Sequence, residues 1–179
     1  LMKAEGACLI IVDVQQRLLS AMDAPRAVLS GCSLMMKAAV VMDVPMLITE
    51  QYPEGLGPTV ETLAELAPED AFFSKLHFSS AANTAIKGKI DTLNAKQIVI
   101  AGIEAHVCVL QTTIEFLEAG YACFVVGDAT SSRKAANHAA GLARLREAGA
   151  EIVTSEMVVF EWLEKAGTPQ FREMSRFLK

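Results

Sequence analysis

Six short apolar runs alternate with segments of helical periodicity along the whole chain: Cys8–Val12, Pro45–Thr49, Ala71–Ser74, Gln97–Ala101, Ala122–Val126 and Glu151–Thr154. Several are continuously apolar, the pattern of strands covered on both faces. Strands that take turns with helices assemble into parallel sheets, because a parallel crossover needs a helix-sized connection. The expected class is α/β, a three-layer α/β/α sandwich. The first long helix opens at Asp23 as N-cap with Pro25 in its first turn, and its buried stripe reads Val28, Cys32, Met35, Met36, Ala39 and Val40. Ala81–Leu93, His106–Ala119 and Lys134–Ala148 follow, the last two stopped by Gly120 and Gly149. With no linker, repeat or low-complexity tract, residues 1–179 are expected to form one domain.

Hydrophobic residues make up 52% of the chain, enough for a sheet buried on both faces and for subunits that cover one another, so a dimer or larger homo-oligomer is expected. Sixteen basic and 21 acidic residues leave a formal charge of −5, and the basic ones form no stripe, so nucleic acid is not an expected partner. No apolar run approaches the ~18 residues of a membrane span. Ala7–Val12 is too short for a signal peptide. Four cysteines without close pairing point to a reducing compartment, by default the cytoplasm.

Three polar residues stand where such a sheet places a site: Asp13 after the first run, Lys75 after the third and Cys108 after the fourth. Each has a plainer reading: Asp13 as N-cap of a short helix near Gln15, Lys75 as a solvated strand end, Cys108 as a buried thiol. Helical geometry turns about 100° per residue. It sets Cys108 beside Thr112 and Glu115, off the apolar stripe Val107, Leu110, Ile114 and Leu117. Cys8, Cys32 and Cys123 fall in strands or on a packed stripe and read as core. A helix start also favours thiolate over thiol. Together the three residues make chemical sense as nucleophile, proton acceptor and charged partner.

Other nucleophilic arrangements fit less well. A phosphatase loop needs arginine where Ile114 stands, no Gly-x-Ser-x-Gly elbow occurs, and Gly55-Leu56-Gly57 meets Val60 where a dinucleotide fingerprint wants its third glycine. His77 and His106 lie near enough for a Cys–His dyad, but residues two apart on a helix do not face each other, which weakens His106. His138 reads as a surface residue.

Leu9-Ile10-Ile11-Val12-Asp13-Val14-Gln15, the Ser74-Lys75 strand end and Gly102-Ile103-Glu104-Ala105-His106-Val107-Cys108-Val109 resemble the three signature segments of isochorismatase-like cysteine hydrolases. Thr49-Glu50-Gln51-Tyr52-Pro53, Asp128-Ala129-Thr130-Ser131-Ser132-Arg133 and Pro169-Gln170-Phe171 resemble the branch of isochorismatase domain-containing proteins. The resemblance implies a six-stranded parallel sheet of order 3-2-1-4-5-6 with its site between strands one and four. It implies Asp13 as general base, Lys75 as its charged partner and Cys108 as nucleophile. It also implies a cis peptide at Ile103–Glu104, with the backbone N–H groups of Glu104 and Cys108 as an oxyanion hole.

Two departures limit what carries over. Metal-dependent nicotinamidases place an aspartate and histidines after strand two, where this chain has Glu50, Gln51 and Tyr52. No metal and no other cofactor is therefore expected. True isochorismatases do not depend on a cysteine nucleophile, so the family name is a poor guide to substrate. The expected function is a metal-free hydrolase of a small amide or related carbonyl compound, with Tyr52, Leu56, His77, Phe78 and His106 as the pocket wall. A catalytically idle scaffold of the same fold is the main alternative. A thiol redox sensor is disfavoured because no resolving cysteine lies near Cys108 in sequence.

Overall fold

The computed structural model describes residues 1–178. In chain order it contains β1 (Ala7–Val12), α1 (Gln16–Leu19), α2 (Pro25–Val41), β2 (Met46–Gln51), α3 (Pro53–Leu56) and α4 (Glu61–Ala64). A 3₁₀ turn (Glu69–Ala71) leads into β3 (Phe72–Lys75), followed by α5 (Thr84–Thr92) and β4 (Gln97–Ile103). A π-helical turn (Ala105–Val109) then runs into α6 (Leu110–Glu118). The chain ends with β5 (Ala122–Ser131), α7 (Ala135–Glu147), β6 (Glu151–Val153), α8 (Ser155–Leu163) and α9 (Pro169–Met174).

The six strands pair in the order β3-β2-β1-β4-β5-β6, every pair parallel. This is the expected class and strand order. Successive side chains of a strand point to opposite faces. Leu9, Ile11, Val99 and Ala101 accordingly pack under α2, α4, α8 and α9, while Cys8, Ile10, Ile98 and Ile100 pack under α5, α6 and α7. Burial of each large aliphatic side chain contributes about 1.5–3 kcal/mol. Two covered faces explain why the runs are apolar without alternation.

Several boundaries differ from the sequence expectation. The N-cap of α2 is Ala24 with no side-chain cap, Pro25 sits at its first position, and the Asp23 N–H instead donates to the Ser132 carbonyl. Val40 is 57% exposed, because the buried series Val28, Cys32, Met35, Met36, Ala39 next returns to that face beyond it. Helix α5 begins later than expected, where the Asn83 side chain accepts from the N–H groups of Ala85 and Ile86. Strand β5 continues to Ser131, its pairing with β4 jumping from Ile100–Val125 to Gly102–Thr130. That bulge carries Ser131, Ser132 and Arg133 to the same sheet edge as Asp13.

β1 and β4 meet most tightly at Gly102. Its φ is +114°, and a β-carbon there would sit 2.2 Å from the Val12 carbonyl oxygen. Gly102→Ala is therefore expected to lower the unfolding free energy by about 3 kcal/mol or more, since backbone rather than a side chain must yield. Urea denaturation checks this; a midpoint equal to that of the parent would contradict the close approach.

Candidate active site

Just past β1, Asp13 adopts a left-handed conformation (φ 53°) that aspartate tolerates better than most residues. Its side chain is fully buried. The Thr49 hydroxyl donates to Oδ1 at 2.7 Å, and the Lys75 ammonium donates to Oδ2 at 2.7 Å. Lys75 ends β3, is equally buried, and also donates to Gln51 Oε1 at 2.7 Å and to the Phe78 carbonyl at 3.1 Å. Register explains the meeting: Val12 lies opposite Thr49, and Gln51 lies opposite Lys75. A buried ion pair needs its remaining valences hydrogen-bonded, and here they are.

The plainer readings of Asp13 and Lys75 do not hold. The N-cap of α1 is Gln15, and the strand end at Lys75 is dry. Sequence reasoning missed Thr49, Gln51 and Gln15. Gln15 is buried, its Nε2 donating to the carbonyls of Gln51 and Gly57 and its Oε1 accepting from the Gln51 N–H at 2.8 Å. Gln51 Nε2 in turn reaches the Leu76 carbonyl at 2.8 Å. The available signal was a polar residue ending each apolar run, which a buried edge tolerates only if such residues bond one another.

Cys108 lies in the π-helical turn, 7% exposed, and packs into the cluster under α5, α6 and α7. The buried residues of α6 are Leu110, Thr112, Thr113 and Phe116, with Ile114 and Leu117 only half-buried. The expected stripe is thus rotated, because the π turn shifts the helical phase before α6 begins. Cys108 points inward rather than away from the packing. Burial pushes its thiol up to about 12, and the Asp13 charge adds to this while Lys75 opposes it. Desolvation thus works against the thiolate that a helix start favours.

The Ile103–Glu104 peptide is cis. The Glu104 N–H has no acceptor among the described residues, and the Cys108 N–H has none outside its own turn. The Glu104 carboxylate accepts from the Arg133 N–H at 3.0 Å and from Arg133 Nε at 3.1 Å. His106 Nδ1 lies 2.9 Å from Ser132 Oγ and its Nε2 lies 3.3 Å from Asn137 Nδ2, so its ring is held toward α7. The expected pocket wall is dispersed. A cleft of about 380 Å³ between the β2 and β3 loops takes in Lys75 and His77, whereas His106 lines another cleft with Glu115 and Arg144. Tyr52 and Phe78 are each 52% exposed, and Leu56 is half-buried in α3. His138 is half-buried, its Nε2 3.0 Å from Thr130 Oγ1, rather than a surface residue. Among the described residues no three His, Cys, Asp or Glu side chains converge as a metal site.

All four cysteines are free and buried, and burial raises Cys8 and Cys123 to about 12 and Cys32 also upward. The folded chain therefore keeps protons that the unfolded chain releases above its ordinary thiol value of 9.0. Their stability contribution is complete below that pH and is lost as pH climbs toward about 12. Each thiol removes up to about 1.4 kcal/mol per pH unit. Urea titrations should show a midpoint that falls steeply above pH ~9; an unchanged midpoint up to pH ~10.5 would contradict buried, protonated thiols.

A 3-2-1-4-5-6 parallel sheet covered by helices on both faces, with polar groups gathered at its switch point, defines a doubly wound α/β protein with its candidate site at the carboxyl ends of the strands. The isochorismatase domain model matches residues 7–157, and the chain belongs to the isochorismatase family. Isochorismatase domain-containing protein 2A of Mus musculus is 35% identical over 176 residues, spanning 98% of this chain and 84% of the mouse protein. The solved structure of MAR1 ribonuclease from Caenorhabditis elegans superposes with a TM-score of 0.94 at 31% identity, covering 99% of this chain and 91% of that one. YcaC from Pseudomonas aeruginosa, solved with hexane-2,5-diol and covalent acrylamide, gives 0.92 at 25% identity over 98% and 90% of the two chains. Among the described residues no helix is long and apolar enough to cross a membrane.

Proposed function

We propose that this protein is a cysteine hydrolase of small amides or related carbonyl compounds, working without a metal. The observation that carries the reading is the fully buried Asp13–Lys75 pair at the carboxyl ends of β1 and β3, at the same end of the sheet as the buried Cys108 in the turn after β4. The thiol adds to the carbonyl carbon, a C–S bond forms, and the sulfur's proton passes to Asp13. The carbonyl oxygen becomes an oxyanion facing the N–H groups of Glu104 and Cys108. Collapse breaks the C–N bond, Asp13 returns the proton to the departing nitrogen, and a thioester remains. Water then adds with its proton going to Asp13, the C–S bond breaks, the acid leaves, and the sulfur regains its proton. Lys75 holds the Asp13 carboxylate in place through its 2.7 Å hydrogen bond to Oδ2.

The last residues of β2 support a metal-free site. Glu50 accepts from the Thr59 N–H and hydroxyl, and Gln51 is tied to Lys75 and Leu76. The Pseudomonas relative was solved with covalent acrylamide, a small amide-bearing compound. The worm relative's name raises RNA as a substrate, but a charge of −5 and a single buried, paired ammonium offer phosphates little purchase. The protein is further proposed to be cytoplasmic and to self-associate through exposed apolar groups such as Leu76 and Phe78, which light scattering tests.

The deciding experiment incubates the protein with a panel of small amides, esters and an RNA oligonucleotide, followed by acid quench and intact mass spectrometry. An acyl adduct on Cys108 is expected, with Cys108→Ala reducing turnover at least about 1,000-fold. Turnover by Cys108→Ala equal to the parent's would defeat the proposal and favour an idle scaffold.

A further inference from the structure

We infer that Glu104 is a positioning residue whose carboxylate, clamped by Arg133, aims its own backbone N–H at the reacting carbonyl and sets a negative charge at the start of the turn that carries Cys108. The inference rests on the reading of Cys108 as nucleophile and adds a role for a side chain that takes no part in the steps above. Glu104 is 9% exposed, an unusual place for a carboxylate unless paired. Its partner is chosen for geometry: Arg133 supplies both its backbone N–H at 3.0 Å and its Nε at 3.1 Å, so one carboxylate ties two points of the β5–α7 connection. The Arg133 side chain is 62% exposed and that of Glu104 10%, so the buried end of the clamp is Glu104.

The connection and α7 together grip the next turn, through Ser132 of the connection and Asn137 of α7 on the His106 ring and through Gly141 of α7, where a β-carbon would come within 3.0 Å of His106 Cα. Residues 104–106 are thus held by the Arg133, Ser132 and Asn137 contacts, while the Glu104 N–H has no acceptor among the described residues. The charged groups that act on Cys108 are Asp13 beyond β1, Lys75 at the end of β3 and Glu104 beyond β4; Glu104, like Asp13, raises the thiol. His106, two residues away, is engaged by Ser132 and Asn137.

Glu104→Gln keeps an oxygen for the Arg133 N–H but removes the charge. Glu104→Ala removes both. Iodoacetamide alkylation of Cys108, followed by peptide mass spectrometry, reads the thiol without any substrate. In Glu104→Gln its pH profile should move to lower pH by roughly half a unit to one unit, with alkylation at fixed pH rising about three- to tenfold. In Glu104→Ala the kcat for an amide should fall about tenfold or more with little change in KM, and Glu104→Gln should recover part of that loss. An alkylation profile identical to the parent's in Glu104→Gln, or equal kcat in all three proteins, would overturn the inference. The alkylation arm stands whether or not an amide substrate is found, and loss of turnover in Cys108→Ala tests the nucleophile separately.

Discussion

Lys75→Met is expected to lower the unfolding free energy by about 3–5 kcal/mol, because it leaves the Asp13 carboxylate buried without its counter-charge. Methionine matches the length of the lysine stem, so little of the loss can come from a cavity. The Gln51 Oε1 and the Phe78 carbonyl lose a donor in the same stroke, which adds the cost of unsatisfied acceptors. Asp13→Asn combined with Lys75→Met should be less destabilised than the sum of the two single variants, since neither charge is then left alone. Urea unfolding of the four proteins measures this cycle. A Lys75→Met protein within about 1 kcal/mol of the parent would mean that the pair is wetter than the structure shows.

Asp13→Asn should separate two quantities that a merely structural role would move together. Without a proton acceptor, kcat/KM for a responsive amide is expected to fall by about 100- to 10,000-fold. The Cys108 thiol, released from the neighbouring negative charge and still facing Lys75, should ionise at lower pH and alkylate faster. Reactivity rising while turnover collapses would identify Asp13 as the base. Parallel loss of both would point instead to a site that has come apart, and circular dichroism of the variant distinguishes that case. Unchanged turnover would remove Asp13 from the mechanism.

The sheet was legible because its central strands β1, β2 and β4 are covered on both faces, and continuous apolar runs such as Leu9-Ile10-Ile11-Val12 follow directly from that. Asp13, Lys75 and Cys108 were visible for a related reason: each is a polar interruption at the end of such a run or just past it. Their supports were not visible. Thr49 and Gln51 occupy the last positions of β2, where a polar side chain reads equally as a solvated strand end. The bulge that lengthens β5 was hidden by Gly127-Asp128, a pair that marks a turn in most chains. The helical wheel failed at Cys108 because it assumed a uniform 100° step, and the π turn at Ala105–Val109 breaks that uniformity.

Local covalent preference and hydrophobic pattern, which act between near neighbours, determined from the chain alone which segments became strands and helices and which reactive side chains stood at strand ends. The ionic state of those side chains lay beyond such reasoning. Whether Cys108 is thiol or thiolate depends on how much water its packing excludes and on a Lys75 charge already committed to Asp13, residues 62 positions apart in the chain. Desolvation and Coulomb energy are functions of three-dimensional distance, so only the assembled sheet edge could decide them.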